Sequence, residues 1–110
     1  PGRPIELTRE NFDRQVAASE LPLVVDFWAP WCGPCLSMAP AYEQAAARLA
    51  PQVRLAKLDT EAHRGIAGRL AIRRRRASLV SNGGKEVARQ SGALGLNQLV
   101  RWINANVGQG

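Results

Sequence analysis

Apolar positions recur along the chain with two different spacings, which divide it into predicted strands and predicted helices. Short apolar runs bounded by turn residues predict strands, whereas apolar residues three or four positions apart predict helices. The predicted strands cover residues 5–7, 23–28, 53–59, 77–81 and 85–91. The predicted helices cover residues 9–18, 32–50 and 63–70, and a last helix carries Leu96, Leu99, Val100, Ile103 and Val107.

The order of these segments is βαβ followed by αββα. A helical crossover joins the second and third strands, so these strands should be parallel and connected in the right-handed sense. Asn82-Gly83-Gly84 predicts a tight turn that joins the last two strands as an antiparallel hairpin. The predicted fold class is α/β, with a central mixed β-sheet of about five strands and helices on both faces. Residues 1–110 are predicted to form one domain, in which residues 1–4 are a frayed lead-in.

The composition is that of an ordinary globular protein with a local excess of positive charge. Hydrophobic residues make up 45% of the 110 positions, and the net charge is +6. No apolar run reaches the roughly 18 residues that a membrane span needs, and residues 1–10 show no secretory signal. The block Arg73 to Arg76 contributes four of the positive charges, so the basic character is local. An arginine block without interleaved aromatic residues argues against nucleic-acid binding.

Both cysteines lie where a predicted strand leads into a predicted helix, in the segment Trp28 to Cys35. A Cys-x-x-Cys pair at such a turn indicates a redox-active dithiol. The N-terminus of a helix favours an anion, so the pKa of the Cys32 thiol should be lowered and its thiolate should be the nucleophile. Gly33 lets a partner backbone approach closely, and Pro34 suits the first turn of a helix.

The same two cysteines do not predict a metal site within one chain. Structural zinc sites need four ligands, and only His63 could add a further nitrogen or sulfur ligand to the pair. We therefore assign no metal ligand and give His63 no role in the chemistry.

Asp26 is an acidic residue in the middle of the most apolar predicted strand. Burying a carboxylate is unfavourable unless it is paired or protonated, so burial should raise the pKa of Asp26. Lys57 lies within the neighbouring predicted strand, and a pair with Asp26 would oppose that effect. Either side chain could instead face solvent, in which case it would take no part in the chemistry.

The segment Trp31-Cys32-Gly33-Pro34-Cys35 resembles the active-site motif of the thioredoxin family. The resemblance covers residues 5–107, and further matches to the family are Asp26, Pro40, Lys57, Gly84 and Gly92. Residues 55–62 are most similar to the thioredoxin-2 branch. These 110 residues do not include the cysteine-rich zinc module that precedes the fold in that branch, because no cysteine precedes Cys32, and whether such a module precedes the native chain stays open.

The resemblance implies a protein disulfide reductase and a role for each matching residue. Cys32 would attack a substrate disulfide, Cys35 would resolve the mixed disulfide, and Asp26 with Lys57 would transfer the proton. The residues implied to contact substrate are Trp31, Gly33, Pro34, Arg75, Arg76, Gly92 and Ala93.

The resemblance also implies partners and a setting. A flavoprotein thioredoxin reductase would supply electrons from NADPH, and disulfide-containing proteins would be the substrates, whereas the chain itself would bind no cofactor. A monomer in the cytoplasm, without membrane attachment, is expected, acting in electron transport and cell redox homeostasis.

One segment departs from the family pattern. The family has a cis-proline that faces the cysteines where this chain has Arg76, and a phenylalanine where it has Ser81. A cis bond before a non-proline residue costs about 2.5–4 kcal/mol, so the Arg75–Arg76 bond should be trans. Ser78 and Ser81 place hydroxyl groups in a strand expected to be buried, which should lower the stability.

Several interpretations of this departure stay open. The arginine block could alter partner choice toward acidic surfaces, could be a solvated loop without function, or could contain identities that do not represent the natural protein.

In the family, the cis-proline also shields the thiols from metals. Its loss allows an alternative in which two chains bridge zinc or an iron–sulfur cluster through four cysteines. An isomerase or oxidase is a third class, although Gly33-Pro34 resembles the reductases.

Overall fold

The structure is a computed structural model that describes residues 2–18, 20–72 and 77–107. Its strands are β1 (Ile5–Leu7), β2 (Leu23–Trp28), β3 (Arg54–Asp59), β4 (Ala77–Asn82) and β5 (Lys85–Ser91). Its helices are α1 (Phe12–Ala18), α2 (Gly33–Leu49), α3 (Arg64–Arg69) and α4 (Leu96–Val107). The predicted order of elements is confirmed.

The strands form one mixed sheet in the order β1-β3-β2-β4-β5. Strand β3 is parallel to both β1 and β2, whereas β4 is antiparallel to β2 and β5. The parallel pairing of β2 and β3 is the arrangement predicted from the helical crossover between them. The predicted hairpin between β4 and β5 is also present. Gly83 and Gly84 have φ angles of +64° and +83°, which glycine adopts without the strain of a side chain.

Helices cover both faces of the sheet, as predicted, because side chains alternate between the faces along each strand. One face packs against α2 and α4, and its buried cluster includes Val24, Leu55, Val80, Tyr42, Leu99 and Ile103. The other face packs against α1 and α3, and its buried cluster includes Leu23, Val25, Phe27, Phe12 and Ile66. The fold class is therefore α/β with helices on both faces of a mixed five-stranded sheet.

Tyr42 fixes α2 against the centre of the sheet. Its side chain is 1% exposed, and its hydroxyl lies 2.7 Å from the Ala56 carbonyl oxygen and 3.2 Å from that of Val24. These carbonyls belong to β3 and β2, so one side chain ties the helix to both parallel strands. This contact fixes α2 across this face of the sheet.

Helix α1 begins three residues later than predicted, whereas α2 and α3 are each shorter than predicted by one residue at either end. Helix α1 begins at Phe12 rather than at Arg9. It follows a turn in which the Thr8 N–H donates to Asn11 Oδ1 at 2.7 Å and the Asn11 N–H donates to Thr8 Oγ1 at 3.2 Å. These two bonds have the reciprocal pattern of a capping box with Thr8 as the cap, and the first i→i−4 bond runs from the Phe12 N–H to the Thr8 carbonyl at 3.0 Å, while residues 9–11 form a turn.

Candidate active site

The turn from β2 to α2 places Cys32 at the N-cap of α2. Its backbone is extended there (φ −90°, ψ 104°), and its N–H donates to the Ala29 carbonyl at 3.1 Å. The Cys35 N–H donates to Cys32 Sγ at 3.2 Å, and Pro34 occupies the first turn. A helix N-terminus carries unpaired N–H groups, so this position favours negative charge on the Cys32 sulfur.

Cys32 and Cys35 form a disulfide in this structure, with Cα atoms 5.2 Å apart. Cys32 is 9% exposed and Cys35 is 4% exposed, and both pack with Ala29 and Trp28. The turn itself is exposed at Gly33 and Pro34. Access from solvent therefore favours the first cysteine, although most of its surface is covered by the turn.

Two large apolar side chains are exposed beside the disulfide. Trp31 is 61% exposed, and Leu36, directly after Cys35 in α2, is 51% exposed. Sequence reasoning missed Leu36, because an apolar residue on a predicted helix is expected in the core until the packing of that helix is known. Together the two side chains offer an apolar surface next to the sulfurs.

A carboxylate that sequence reasoning also missed orients Trp31. The indole N–H of Trp31 donates to Glu61 Oε2 at 3.1 Å, and Arg64 donates to Glu61 Oε1 at 3.0 Å. The hydrogen bond from Trp31, followed by the hydrogen bond and charge of Arg64, lowers the pKa of Glu61. Glu61 is therefore charged at neutral pH, when it accepts both bonds. No sequence motif marked it, because the contact joins two separate loops.

Behind the disulfide lies a cavity of about 140 Å³ that is reached by both Asp26 and Cys35. Its lining is Asp26, Trp28, Cys35, Leu36, Ala39, Tyr42 and Lys57. Asp26 is 3% exposed, so its predicted burial is confirmed. It lies opposite Lys57 in the parallel register of β2 and β3, and both side chains therefore project from the same face. The structure thus brings the candidate proton acceptor, its candidate partner and the second cysteine to one cavity.

Lys57 is half-buried, and its Nζ lies 5.0 Å from the centroid of the Trp28 ring. A cation over an indole face is stabilised by the electron-rich ring. Trp28 therefore holds the Lys57 ammonium group near the cavity and packs beneath the cysteines. An ion pair between Lys57 and Asp26 stays a prediction.

The residues after β5 reach the same end of the sheet. Phe27 pairs with Ala77, and Ala77 pairs with Ser91, so β5 ends close to the end of β2 from which the cysteine turn begins. Gly92 and Ala93 follow and are exposed, and Gly92 has φ +92°, which favours glycine. Their predicted contact with substrate is compatible with this place in the fold but stays a prediction.

The other candidate residues fall in two groups. Arg75 and Arg76 lie outside the described residues, as does the predicted trans bond between them. His63 precedes α3, and its Nδ1 accepts the Arg9 N–H at 3.3 Å; its lack of a role in the chemistry stays a prediction. Within residues 2–18, 20–72 and 77–107 there is no group of three His, Cys, Asp or Glu side chains that could hold a metal. A metal shared between two chains stays a prediction.

Comparison with known proteins decides the family. The model of the family described as Thioredoxin matches residues 3–105. The chain belongs to the thioredoxin family. It is 40% identical over 109 residues to thioredoxin C-3 of Corynebacterium nephridii, a match that covers 99% of this chain and 74% of that protein.

Two further relatives match along nearly their whole length. Thioredoxin of Chlorobaculum thiosulfatiphilum is 36% identical, with 97% of this chain and 99% of that protein covered. Thioredoxin 2 of Chlorobaculum tepidum is 34% identical, with 97% and 98% covered. As a member of the thioredoxin family, the chain is a thiol–disulfide oxidoreductase of the disulfide reductase type. Membership of the thioredoxin-2 branch stays a prediction. Among the described residues, no helix has the length and apolarity to cross a membrane.

Proposed function

We propose that this chain reduces disulfides in other proteins through the Cys32–Cys35 dithiol. The observation that carries the proposal is the closed Cys32–Cys35 disulfide at the first turn of α2, with the Cys35 N–H directed at Cys32 Sγ. The two cysteines form a bond without leaving the helix start, so the oxidised and reduced states can share one backbone arrangement.

In the first step, the Cys32 thiolate attacks one sulfur of a substrate disulfide. A bond forms between Cys32 Sγ and that sulfur, the substrate disulfide breaks, and the other substrate sulfur leaves as a thiolate. The N–H groups at the start of α2 stabilise the attacking thiolate before the reaction. Trp31 and Leu36 provide an apolar contact for the substrate, and their exposure makes them available to a partner.

In the second step, Cys35 attacks Cys32 Sγ and releases the second substrate thiolate. Cys35 must lose its proton to do so, and Asp26 accepts it across the cavity that both residues line. The cavity volume of about 140 Å³ is sufficient for water to carry this proton. The nearby Lys57 ammonium favours the charged form of Asp26 that accepts the proton.

The remaining contacts follow from the positions of the exposed loops. Gly33 and Pro34 present backbone at the helix start, and Gly92 and Ala93 lie at the same end of the sheet. Arg75 and Arg76 are assigned to the substrate contact from the sequence alone.

Each turnover transfers two electrons from the Cys32–Cys35 dithiol to the substrate disulfide and leaves the chain with a Cys32–Cys35 disulfide. We propose that a flavoprotein thioredoxin reductase returns these electrons from NADPH and that the chain acts as a cytoplasmic monomer without a cofactor of its own. Its substrates would be oxidised cellular proteins.

A Cys35→Ser variant tests the order of the two steps. It should form a stable mixed disulfide with a substrate protein, because the first attack remains possible and the resolving thiol is absent. Reduced variant is mixed with insulin or another disulfide protein, and the covalent adduct is identified by intact mass. A Cys32→Ser protein is the matched control and should form no adduct under the same conditions. Equal adduct formation by both variants would contradict the assignment of Cys32 as nucleophile.

A further inference from the structure

Three polar side chains project from one face of three neighbouring strands. Asp26 on β2 lies opposite Lys57 on β3 and opposite Ser78 on β4. Directly opposed residues project from the same face of a sheet. Ser78 therefore lies beside Asp26 on the side away from Lys57, under the helices α2 and α4.

The hydroxyl of Ser78 is buried without a hydrogen-bond partner among the described residues. Ser78 is 1% exposed, so bulk water does not reach it. A buried hydroxyl without a partner is destabilising, and buried side-chain polar groups are usually hydrogen-bonded. The acceptor that the register places directly opposite is the carboxyl group of Asp26, which is itself 3% exposed.

We propose that Ser78 is a positioning residue whose hydroxyl donates a hydrogen bond to the Asp26 carboxylate and favours its charged form. Opposed residues of an antiparallel pair have Cβ atoms about 4.5–5.5 Å apart, a separation that a serine hydroxyl and a carboxylate can bridge. The bond is not formed in this structure, and it requires rotation of Ser78 χ1 between staggered positions, which moves Oγ without moving the backbone. A carboxylate has room for several donors, so this bond leaves its other interactions in place.

Groups on the elements packed around Asp26 also affect its ionisation, and the Ser78 hydroxyl would add to their effects. Lys57 faces it from β3, and Cys35 and Tyr42 face the same cavity from α2. Lys57 acts by its charge, Cys35 is the proton donor of the proposed reaction, and the Tyr42 hydroxyl is directed at backbone carbonyls. Ser78 adds a neutral donor from β4, and this contribution does not depend on the charge of Lys57.

The consequence for the reaction rests on the proposed function, in which Asp26 accepts the proton of Cys35. A hydrogen bond to the charged form lowers the pKa of a carboxyl group, so Asp26 would remain a competent acceptor at lower pH. Without the Ser78 hydroxyl, Asp26 would hold its own proton to higher pH. The second step would then slow at pH values below the new pKa.

Titration of Asp26 in the oxidised protein tests the proposal directly. The disulfide removes Cys32 and Cys35 from the titration, so the carboxyl carbon of Asp26, followed by ¹³C NMR, reports one group without thiol coupling. Ser78→Ala should raise the midpoint by about one pH unit, since a hydrogen bond to a charged group contributes about that much. Ser78→Thr keeps the hydroxyl and should retain most of the original midpoint.

Ser81→Ala is the matched control, because Ser81 is also a buried serine of β4 but lies opposite Leu23, on the other face. It should leave the Asp26 midpoint unchanged. An unchanged or lowered midpoint in Ser78→Ala would overturn the proposal, as would an equal shift in Ser81→Ala.

Urea unfolding gives a second readout that a merely buried serine would not produce. The bond is made to the charged carboxylate, so the stability that Ser78→Ala loses is fully present above the folded-state pKa of Asp26 in the variant and disappears below the folded-state pKa of Asp26 in the wild type. Ser78→Ala should therefore lower the urea midpoint at pH 8 more than at a pH where Asp26 is protonated. A higher midpoint at both pH values would show that the hydroxyl is unpaired, which contradicts the proposal.

These measurements need no turnover, so they separate this inference from the proposed function. If the wild-type protein reduces insulin but Ser78→Ala leaves the Asp26 midpoint unchanged, only the role of Ser78 is overturned. If Ser78→Ala shifts the Asp26 midpoint but the wild-type protein does not reduce insulin, the Ser78 hydrogen bond is supported and the proposed function is contradicted.

Discussion

Replacing Cys32 with serine is expected to reduce the rate of insulin reduction by at least about a thousandfold, to the uncatalysed background. A serine hydroxyl is not ionised near neutral pH and cannot form the disulfide with Cys35 that stores the two electrons. The assay follows insulin precipitation in dithiothreitol, beside the wild-type protein. The folded state should be retained, since Cys32 lies at a helix cap that serine also favours.

The control for this result is the circular dichroism spectrum and the melting temperature of the reduced proteins. A Cys32→Ser protein that is folded and inactive supports the assignment. Wild-type turnover by that protein would end the proposal that Cys32 is the nucleophile.

Replacing Trp31 with alanine is expected to lower kcat/KM for a protein substrate by about tenfold or more. Exposed tryptophans at binding surfaces commonly contribute most of the interaction, and a tenfold loss corresponds to about 1.4 kcal/mol. Trp31 is 61% exposed, so its removal should change the free energy of unfolding by less than about 0.5 kcal/mol. The kcat/KM for a small disulfide, such as an aromatic dithiobis compound, should fall much less, because a small substrate does not contact the Trp31 surface.

Two variants separate the apolar contact from the orientation of the ring. Trp31→Phe keeps an aromatic surface but loses the N–H that donates to Glu61, so an intermediate kcat/KM is expected. Glu61→Gln keeps an acceptor for the indole and should behave nearly as wild type at neutral pH. If Trp31→Ala reduced insulin as well as the wild type, the apolar surface would have no part in substrate binding.

The fold was predictable because local patterns and tertiary packing agree along most of the chain. The run 23–28 is apolar on both faces, and β2 lies in the interior of the sheet, as predicted. The two glycines of the hairpin have the positive φ angles that a tight turn requires. The predicted start of α1 was wrong by three residues, because residues 9–11 form a turn capped by Thr8 and Asn11 before the regular helix begins, a local detail that helix propensity alone does not resolve.

The candidate site was predictable only where a motif or an unusual residue type marks it. Cys32 and Cys35 are marked by their spacing. Asp26 is marked because it is an acidic residue in an apolar strand, and its predicted burial is confirmed. Glu61 and Leu36 carry no such mark, because their roles depend on which loops meet and which helix face is left uncovered.

Ser78 shows a further limit of sequence reasoning. The sequence predicted that Ser78 and Ser81 would be buried, which is confirmed at 1% and 3% exposure. It did not predict that one of them lies opposite Asp26, because this depends on the register of β2 and β4. A shift of one residue would turn Ser78 to the other face of the sheet.

The ionisation of Cys32 is the central claim, and the pH dependence of its alkylation tests it most directly. In reduced Cys35→Ser protein Cys32 is the sole thiol, so the rate of reaction with iodoacetamide reports one group. The same protein unfolded in urea serves as the control and should show a midpoint near the ordinary cysteine value of about 8.5. The folded protein should show a midpoint clearly below that of the unfolded protein, because the helix N-terminus stabilises the thiolate. A folded midpoint equal to or above the unfolded one would contradict the account.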